Sequence, residues 1–434
     1  MTNLFEEIMN SRRNFIRSSS LILLGLPAAT QASSFLNENP LAGFPAEGDP
    51  NFWEQIRGFF MIPPDEAYLN TGTIGATPSP VLHAMVSHLQ KVATDIARED
   101  WSGGGQDLLS GYFPYPDLRK KLGSIVNAEA GNISLIQNAH MGMNTMALGL
   151  DMKRGDEVIQ TNMEHTGGSS GWQVRARRDG IVIKQITIVS PIKNPEQIID
   201  LIEKTITRKT KVIAIPHILS GTGEILPVNQ ICALAREKGI LTVIDGAQTI
   251  GHIPLDLKVM DCDAYFTSPH KWLLAPAGSG MLFIKPELSA RIQPSMPSGS
   301  WDNHEDEGFR FTQRGTSNEA MMKGYETAVD FHLKIGNKRI TERIKYLGDY
   351  LRSKLQEIDK VEILTSIHPE LSSGMTTFGV KGVKGEELRA AMWEKYKLQP
   401  RPVGPDGNFI RFSTHIYNSS EEINKALDVT NEIG

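Results

Sequence analysis

From about residue 130 to 285 the chain alternates short Val- and Ile-rich runs with runs of helical periodicity, and this alternation constrains the fold most. Asp156–Gln160, Gly180–Ile188, Thr210–Pro216, Gly239–Ile244, Ala264–Thr267 and Gly280–Ile284 read as strands, since β-branched residues dominate them and Gly, Pro or Asp bound them. Between them, Pro195–Ile206 places Ile198, Ile199, Leu201, Ile202 and Ile206 on one rough helical face. Val228–Lys238 does the same with Ile231, Leu234 and Ala235, and Gly239 follows as a C-terminal cap. Strand and helix in alternation predict an α/β fold: a mainly parallel sheet sandwiched by helices, with ligands bound beyond the C-terminal ends of the strands.

The rest of the chain reads differently. Residues 286–318 are rich in Pro, Gly, Ser and charge and predict a surface loop or gate. Two long helical stretches follow near 319–335 and 337–358. Then come a strand at Met375–Val380, a helix at Gly385–Tyr396, a strand at Phe409–Ser413 and a last helix from about Ser420, opened by a Ser419/Glu422 capping box. The expected organisation is an N-terminal signal at 1–32, an arm at 33–75, a large domain at 76–318 and a smaller α+β domain at 319–434.

Asp245 ends an apolar strand, and Lys271 follows the next one within Ser268-Pro269-His270-Lys271. An amine and a carboxylate at the ends of successive strands suit pyridoxal 5′-phosphate (PLP), which needs a lysine for its Schiff base and an acid paired with its pyridine nitrogen. Either residue alone reads as a turn or surface group; together at these positions they point to the cofactor.

Composition excludes several classes. The net charge of −5 gives no electrostatic case for a nucleic-acid partner. The body contains no apolar run of membrane-spanning length, so no stable membrane insertion is expected. Cys232 and Cys262 are too few for a disulfide framework, and no Cys/His cluster has zinc spacing. At the N-terminus, Arg12-Arg13-Asn14-Phe15 precedes the apolar stretch Leu21 to Ala29, with Thr30 and Ala32 placed for cleavage. This layout resembles a twin-arginine (Tat) export signal, implying passage through the Tat translocase as a folded, cofactor-loaded protein to the periplasm.

Several motifs occur in an order that resembles the class V aminotransferase superfamily of fold-type I PLP enzymes, in its isopenicillin-N-epimerase-like branch. They are Tyr68-Leu69-Asn70-Thr71-Gly72-Thr73-Ile74-Gly75, Asn138-Ala139-His140-Met141-Gly142, Glu164-His165, His217-Ile218-Leu219-Ser220-Gly221-Thr222-Gly223, the Asp245–Gln248 and Ser268–Lys271 segments, Arg314-Gly315-Thr316 and Ile410-Arg411-Phe412-Ser413. The resemblance implies a role for each. The backbone amides of Ala139 and His140, at a helix start, would bind the cofactor phosphate, as would Ser268 and His270. His140 stands where the family usually has Thr or Ser. His165 would stack on the cofactor ring, Asp245 would pair with its nitrogen, and Gln248 would reach its phenolic oxygen. Ser220 would contact the cofactor at a position where cysteine desulfurases carry Asn. Thr316 would reach the phosphate from a partner subunit, implying a homodimer. Arg411 would clamp the substrate carboxylate, with Asn70 also at the substrate.

Lys271, His165 and Asp245 are thus the candidate catalytic residues, and the expected chemistry is proton removal at the Cα of an amino acid. Epimerisation, transamination and elimination of a β-substituent all remain open, as does an exported scaffold with a degenerate PLP fold. No cysteine lies after Cys262, so nothing precedes Arg411 to accept sulfur, and cysteine desulfurase activity is not expected. The export signal adds a resemblance to the periplasmic branch that tailors the siderophore pyoverdine. That resemblance implies a peptide-linked Glu as substrate and a roomy mouth near Trp101, Tyr112 and Trp301.

Overall fold

The computed structural model describes residues 43–95, 113–312, 315–404 and 406–433. The export signal, the start of the arm, Trp101, Tyr112 and Arg314 lie outside these residues.

Seven strands form the central sheet: β1 (Ile133–Ile136), β2 (Glu157–Thr161), β3 (Val182–Ile186), β4 (Thr210–Pro216), β5 (Leu241–Asp245), β6 (Ala264–Thr267) and β7 (Gly280–Ile284). Their order is β1-β7-β6-β5-β4-β2-β3, and β7 alone runs against the others. The inner strands are apolar almost throughout because both their faces are buried, whereas the edge strand β3 is partly exposed and carries Lys184 and Gln185. Successive residues enter two separate cores: Val212, Ala214, Val243 and Phe266 face one, and Ile213, Ile215, Ile244 and Tyr265 face the other. The predicted strands fall within two residues of these bounds, and β4, β6 and β7 coincide with the expectation.

Helices cover both faces: α1 (Ser79–Asp95), α2 (Pro116–Val126), α3 (Ala139–Gly149), α4 (Thr166–Asp179), α5 (Glu196–Thr205) and α6 (Val228–Glu237). Each of α3 to α6 follows a strand and returns the chain for the next one, which keeps the strand C-termini at one edge. Gly239, just past α6, adopts φ +66°, as a left-handed residue after a helix should.

Two long helices follow, α7 (Glu319–Ile335) and α8 (Asn337–Leu355). A smaller antiparallel sheet comes next: β8 (Val361–Ile363), β9 (Met375–Val380), β10 (Arg401–Val403) and β11 (Phe409–Ser413), in the order β10-β11-β9-β8. Its core joins Phe378, Ile410 and Phe412 to Leu347 and Leu351 of α8, to Leu388 and Met392 of α9 (Gly385–Tyr396) and to Ile423 and Leu427 of α10 (Ser420–Glu432). The Ser419/Glu422 capping box is present at the start of α10. Met321, Met322, Tyr325 and Val329 of α7 are buried with the large sheet, although α7 follows the expected boundary at 318.

The stretch expected as a loop or gate contains a packed element. Glu307–Thr312 is helical and buries Arg310, Phe311 and Thr312, and the Thr312 hydroxyl accepts the Leu135 N–H of β1 at 2.8 Å. Its Pro- and Gly-rich sequence hid a short helix that tertiary packing stabilises. Among the described residues no helix is long and apolar enough to cross a membrane.

The arm ties the two sheets together. Ala67–Tyr68 pairs in parallel with Leu398–Gln399, Asn70 bridges to Ser413, and the Gly75 N–H donates to the His270 carbonyl at 2.8 Å. Residues 70–75 are thereby threaded between the end of β6 and the small sheet.

Candidate active site

The loops after β1, β2, β4, β5 and β6 converge with the arm and the small sheet on one cleft. Ala139, His140, His165, Ser220, Asp245, Gln248, Ser268, His270, Lys271 and Arg411, all singled out from sequence, line it together.

Lys271 opens into the cleft from the turn after β6. Desolvation drops its ammonium from the usual 10.5 to about 8, against the pull of Asp245 and with help from Arg411 and Arg401. The turn is tight: a side chain at Gly75 would place its Cβ 2.1 Å from the Lys271 carbonyl oxygen, so only glycine fits there. Asp245 sits at the end of β5. Its Oδ1 accepts the Ala247 N–H at 2.8 Å, which fixes the carboxylate, while its Oδ2 approaches Gly168 at the start of α4. Desolvation raises its pKa, opposed by the Ala247 N–H and by the charges of Lys271 and His165.

His165 is the N-cap of α4, and its Nδ1 accepts the Gly167 N–H at 3.1 Å. That contact leaves the proton of a neutral ring on Nε2. Desolvation and Lys271 lower its pKa, in favour of the neutral form. Glu164 was part of the sequence motif but had no role assigned. Its Oε1 accepts from the Thr161 N–H at 3.0 Å and the Thr161 hydroxyl at 2.9 Å, and burial raises its pKa to about 8. Gly168 lets both acids come near: a Cβ there would lie 3.2 Å from Asp245 Oδ2 and 3.5 Å from Glu164 Oε2.

At the other end, Asn138 caps α3 through its Oδ1, which accepts the Met141 N–H at 3.0 Å. The Ala139 N–H donates to Ser268 Oγ at 3.1 Å, binding the helix start to the Lys271 turn. His140 does not stand in for a hydroxyl. Its Nδ1 lies 3.0 Å from the Gly167 carbonyl and its Nε2 lies 3.1 Å from Asn144 Nδ2. With Nδ1 protonated, both contacts are satisfied, and the ring holds α3 to α4. His270 Nδ1 faces the Ser279 carbonyl at 3.3 Å.

Gln248 is heavily engaged. Its Nε2 donates to the Gly72 carbonyl at 2.8 Å and its Oε1 accepts the Trp272 indole N–H at 2.7 Å, leaving one amide hydrogen for a ligand. Ser220 serves Arg411 through its carbonyl, which accepts Nη1 at 2.6 Å. Asn70 is not among the lining residues; its Oδ1 accepts Arg411 Nη2 at 3.0 Å and so aims the guanidinium. Thr316 is exposed and Trp301 is 48 % exposed, and neither lines the cleft within this chain.

Arg411 is 3 % exposed, and burial, then the charge of Arg401, lowers its pKa to about 10. Its Nε is buried without a partner. Arg401 is the residue sequence reasoning missed. No motif marks it, and only the β10–β11 register, Arg401 opposite Arg411, brings it to the cleft. Among the described residues no group of three or more His, Cys, Asp or Glu is arranged to hold a metal.

This donor set fits pyridoxal phosphate. One cleft combines an amine of lowered pKa, a fixed carboxylate with a free oxygen, a capped helix start with hydroxyl and imidazole neighbours, and a buried guanidinium with an orphaned donor.

The fold and cleft define a fold-type I PLP enzyme: a seven-stranded sheet carrying the cofactor lysine, with a small antiparallel domain beside it. Residues 68–426 match the aminotransferase class-V family, and the chain belongs to that family. It is 30% identical over 404 residues to isopenicillin N epimerase of Amycolatopsis lactamdurans, covering 88% of this chain and 98% of the relative. Its identity to a probable cysteine desulfurase of Methanothermobacter thermautotrophicus is 25% over 402 residues, covering 88% and 98%. Among solved structures, a C-DES mutant with glycine covalently linked to its PLP cofactor superposes with a TM-score of 0.77 at 24% identity, covering 87% of this chain and 99% of that one. Desulfurases among the relatives mean that descent gives no support to the expectation that this chain is not one.

Proposed function

We propose that this protein works at the Cα of an amino-acid substrate by moving a proton there, as an epimerase or an aminotransferase. The observation that carries the reading is the meeting of Lys271, Asp245 and Arg411 in one cleft, each from a different element.

Bound in the cleft, pyridoxal phosphate would supply a ring that draws electron density from Cα. Lys271 would hold it covalently, and Ser268, His270 and the start of α3 would hold its phosphate. Asp245, pinned by Ala247, would keep a proton on the ring nitrogen. His165 would cover the ring. Arg411 would take the substrate carboxylate and so aim the Cα–H bond. Displaced by the substrate's amine, the Lys271 amine, its pKa lowered to about 8, would have the basicity to accept that proton near neutral pH.

Sulfur transfer is set aside because of where the two thiols lie. Cys232 and Cys262 are both buried in the core, with pKa raised by burial, to about 12 for Cys232. Neither lines the cleft.

The same reading extends to location. The Arg12-Arg13 signal supports a periplasmic enzyme tailoring an exported metabolite such as a siderophore, and the family resemblance extends the reading to a homodimer in which Thr316 completes the partner's phosphate site.

The test is holoenzyme in D2O with a panel of amino acids. Deuterium at Cα with inverted configuration identifies epimerisation, and a keto acid identifies transamination. Absence of Cα–H exchange with every amino acid and peptide tried would sink the reading.

A further inference from the structure

The cleft holds two guanidiniums where a single carboxylate clamp needs one. Arg401 and Arg411 are register partners on the antiparallel strands β10 and β11, so their side chains leave the same face of the small sheet. Both line the cleft. They also share an anchor: Arg401 Nη1 donates to Thr73 Oγ1 at 2.7 Å, and Arg411 Nη2 donates to the same atom at 3.2 Å.

Two like charges held side by side repel unless an anion lies between or beside them. Among the described residues none is bonded to either guanidinium. The partners of both guanidiniums are neutral oxygens: the Thr73 hydroxyl, the Ser220 carbonyl and the Asn70 side-chain carbonyl. After burial, the charge of Arg401 is among the influences lowering the pKa of Lys271, His165 and Arg411, so its field reaches across the cleft. The acids at the cleft do not answer it. Asp245 is held by the Ala247 N–H at the end of β5, and Glu164 is tied to Thr161 after β2. The small-sheet wall is therefore cationic in excess of one carboxylate. Arg411 is nearly fully buried and Arg401 is exposed, which sets Arg401 on the solvent side of the clamp.

Resting on the reading of Arg411 as the α-carboxylate clamp, we propose that Arg401 binds a second carboxylate of the substrate, so that the preferred substrates are amino acids with an acidic side chain. The side-chain carboxylate lies toward the cleft mouth and takes the free donors of Arg401, while Cα stays over Lys271. Arg401 is then a specificity residue, and its contribution depends on whether the side chain is charged.

The experiment compares isosteric pairs, L-glutamate against L-glutamine and L-aspartate against L-asparagine, binding to the holoenzyme by calorimetry, with the visible band of the cofactor followed in parallel. The acid of at least one pair binds about tenfold or more tightly than its amide, the effect of one charge-assisted contact. Arg401→Gln brings that ratio close to one, Arg401→Lys restores part of it, and added salt shrinks it in the parent. Thermal melting confirms that both variants are folded. A parent ratio near one for both pairs, or a ratio unchanged in Arg401→Gln, overturns the proposal. Failure of the deeper reading looks different: no amino acid perturbs the cofactor band, and Arg411→Gln changes no affinity.

Discussion

The large sheet reaches the cleft through loops that follow single strands, whereas the small sheet reaches it through the faces of two strands paired side by side. Asp245 ends β5, Lys271 follows β6 and His165 follows β2, so each is fixed by its own strand and the turn after it. Arg401 and Arg411 are fixed by each other's register and by Thr73 and Asn70 of the arm. The first wall positions the chemistry rigidly. The second positions charge and depends on three segments distant in sequence. Changes on the large-sheet wall should therefore alter the cofactor and turnover, and changes on the small-sheet wall should alter substrate affinity.

The largest effect is expected at Lys271. Lys271→Ala removes both the covalent anchor and the base, so turnover falls by about 10⁴-fold and the visible cofactor band is lost. A variant that kept both would break the division between the walls at its centre. On the other wall, Arg411→Lys replaces a planar fork with a point charge. KM for an amino-acid substrate should rise by roughly ten- to a hundredfold while the cofactor band is retained. Loss of the band in that variant would show that the small sheet also holds the cofactor.

The arm joins the walls, and Gly75→Ala tests that joint. Its Cβ would meet the Lys271 carbonyl at 2.1 Å, so the turn must shift, at a cost of about 1–3 kcal/mol, seen as a lower melting temperature. Because the turn carries Lys271, kcat should fall more than KM rises. The smallest effect is in pH dependence. The free Lys271 amine has its pKa lowered to about 8, so it is mostly protonated below that pH and mostly nucleophilic above it. Cofactor capture by the apoprotein should rise by about tenfold from pH 7 to 9 and then level off. A rate still climbing steeply beyond pH 9 would indicate an ordinary solvated lysine.

The large-sheet wall was legible in the sequence because its signals are local. Alternating apolar strands and helices fix the sheet, and the residue after each strand falls at its C-terminal edge, which is why Asp245 and Lys271 could be named from spacing, with His165 added by the family resemblance. The role of His140 was not legible, because its partners are the Gly167 carbonyl and Asn144, and only the packing of α3 on α4 brings the first of these within reach. Glu164 was visible as a motif residue, but its raised pKa comes from enclosure by the turn after β2 and the start of α4. The helix at Glu307–Thr312 was hidden by a Pro- and Gly-rich context, since its stability comes from packing against β1 rather than from propensity.

By itself the sequence determined the α/β class and the strand ends that carry the amine and the acid, while the arginine on β11 was named by the family resemblance. These follow from periodicity and chain order, which act over a few residues. Tertiary structure alone decided that Arg401 stands beside Arg411, that Asn70 aims a guanidinium instead of lining the cleft, and that α7 packs with the large sheet. Such outcomes depend on strand register and on burial shared between distant segments, and neither is written in any one stretch of chain.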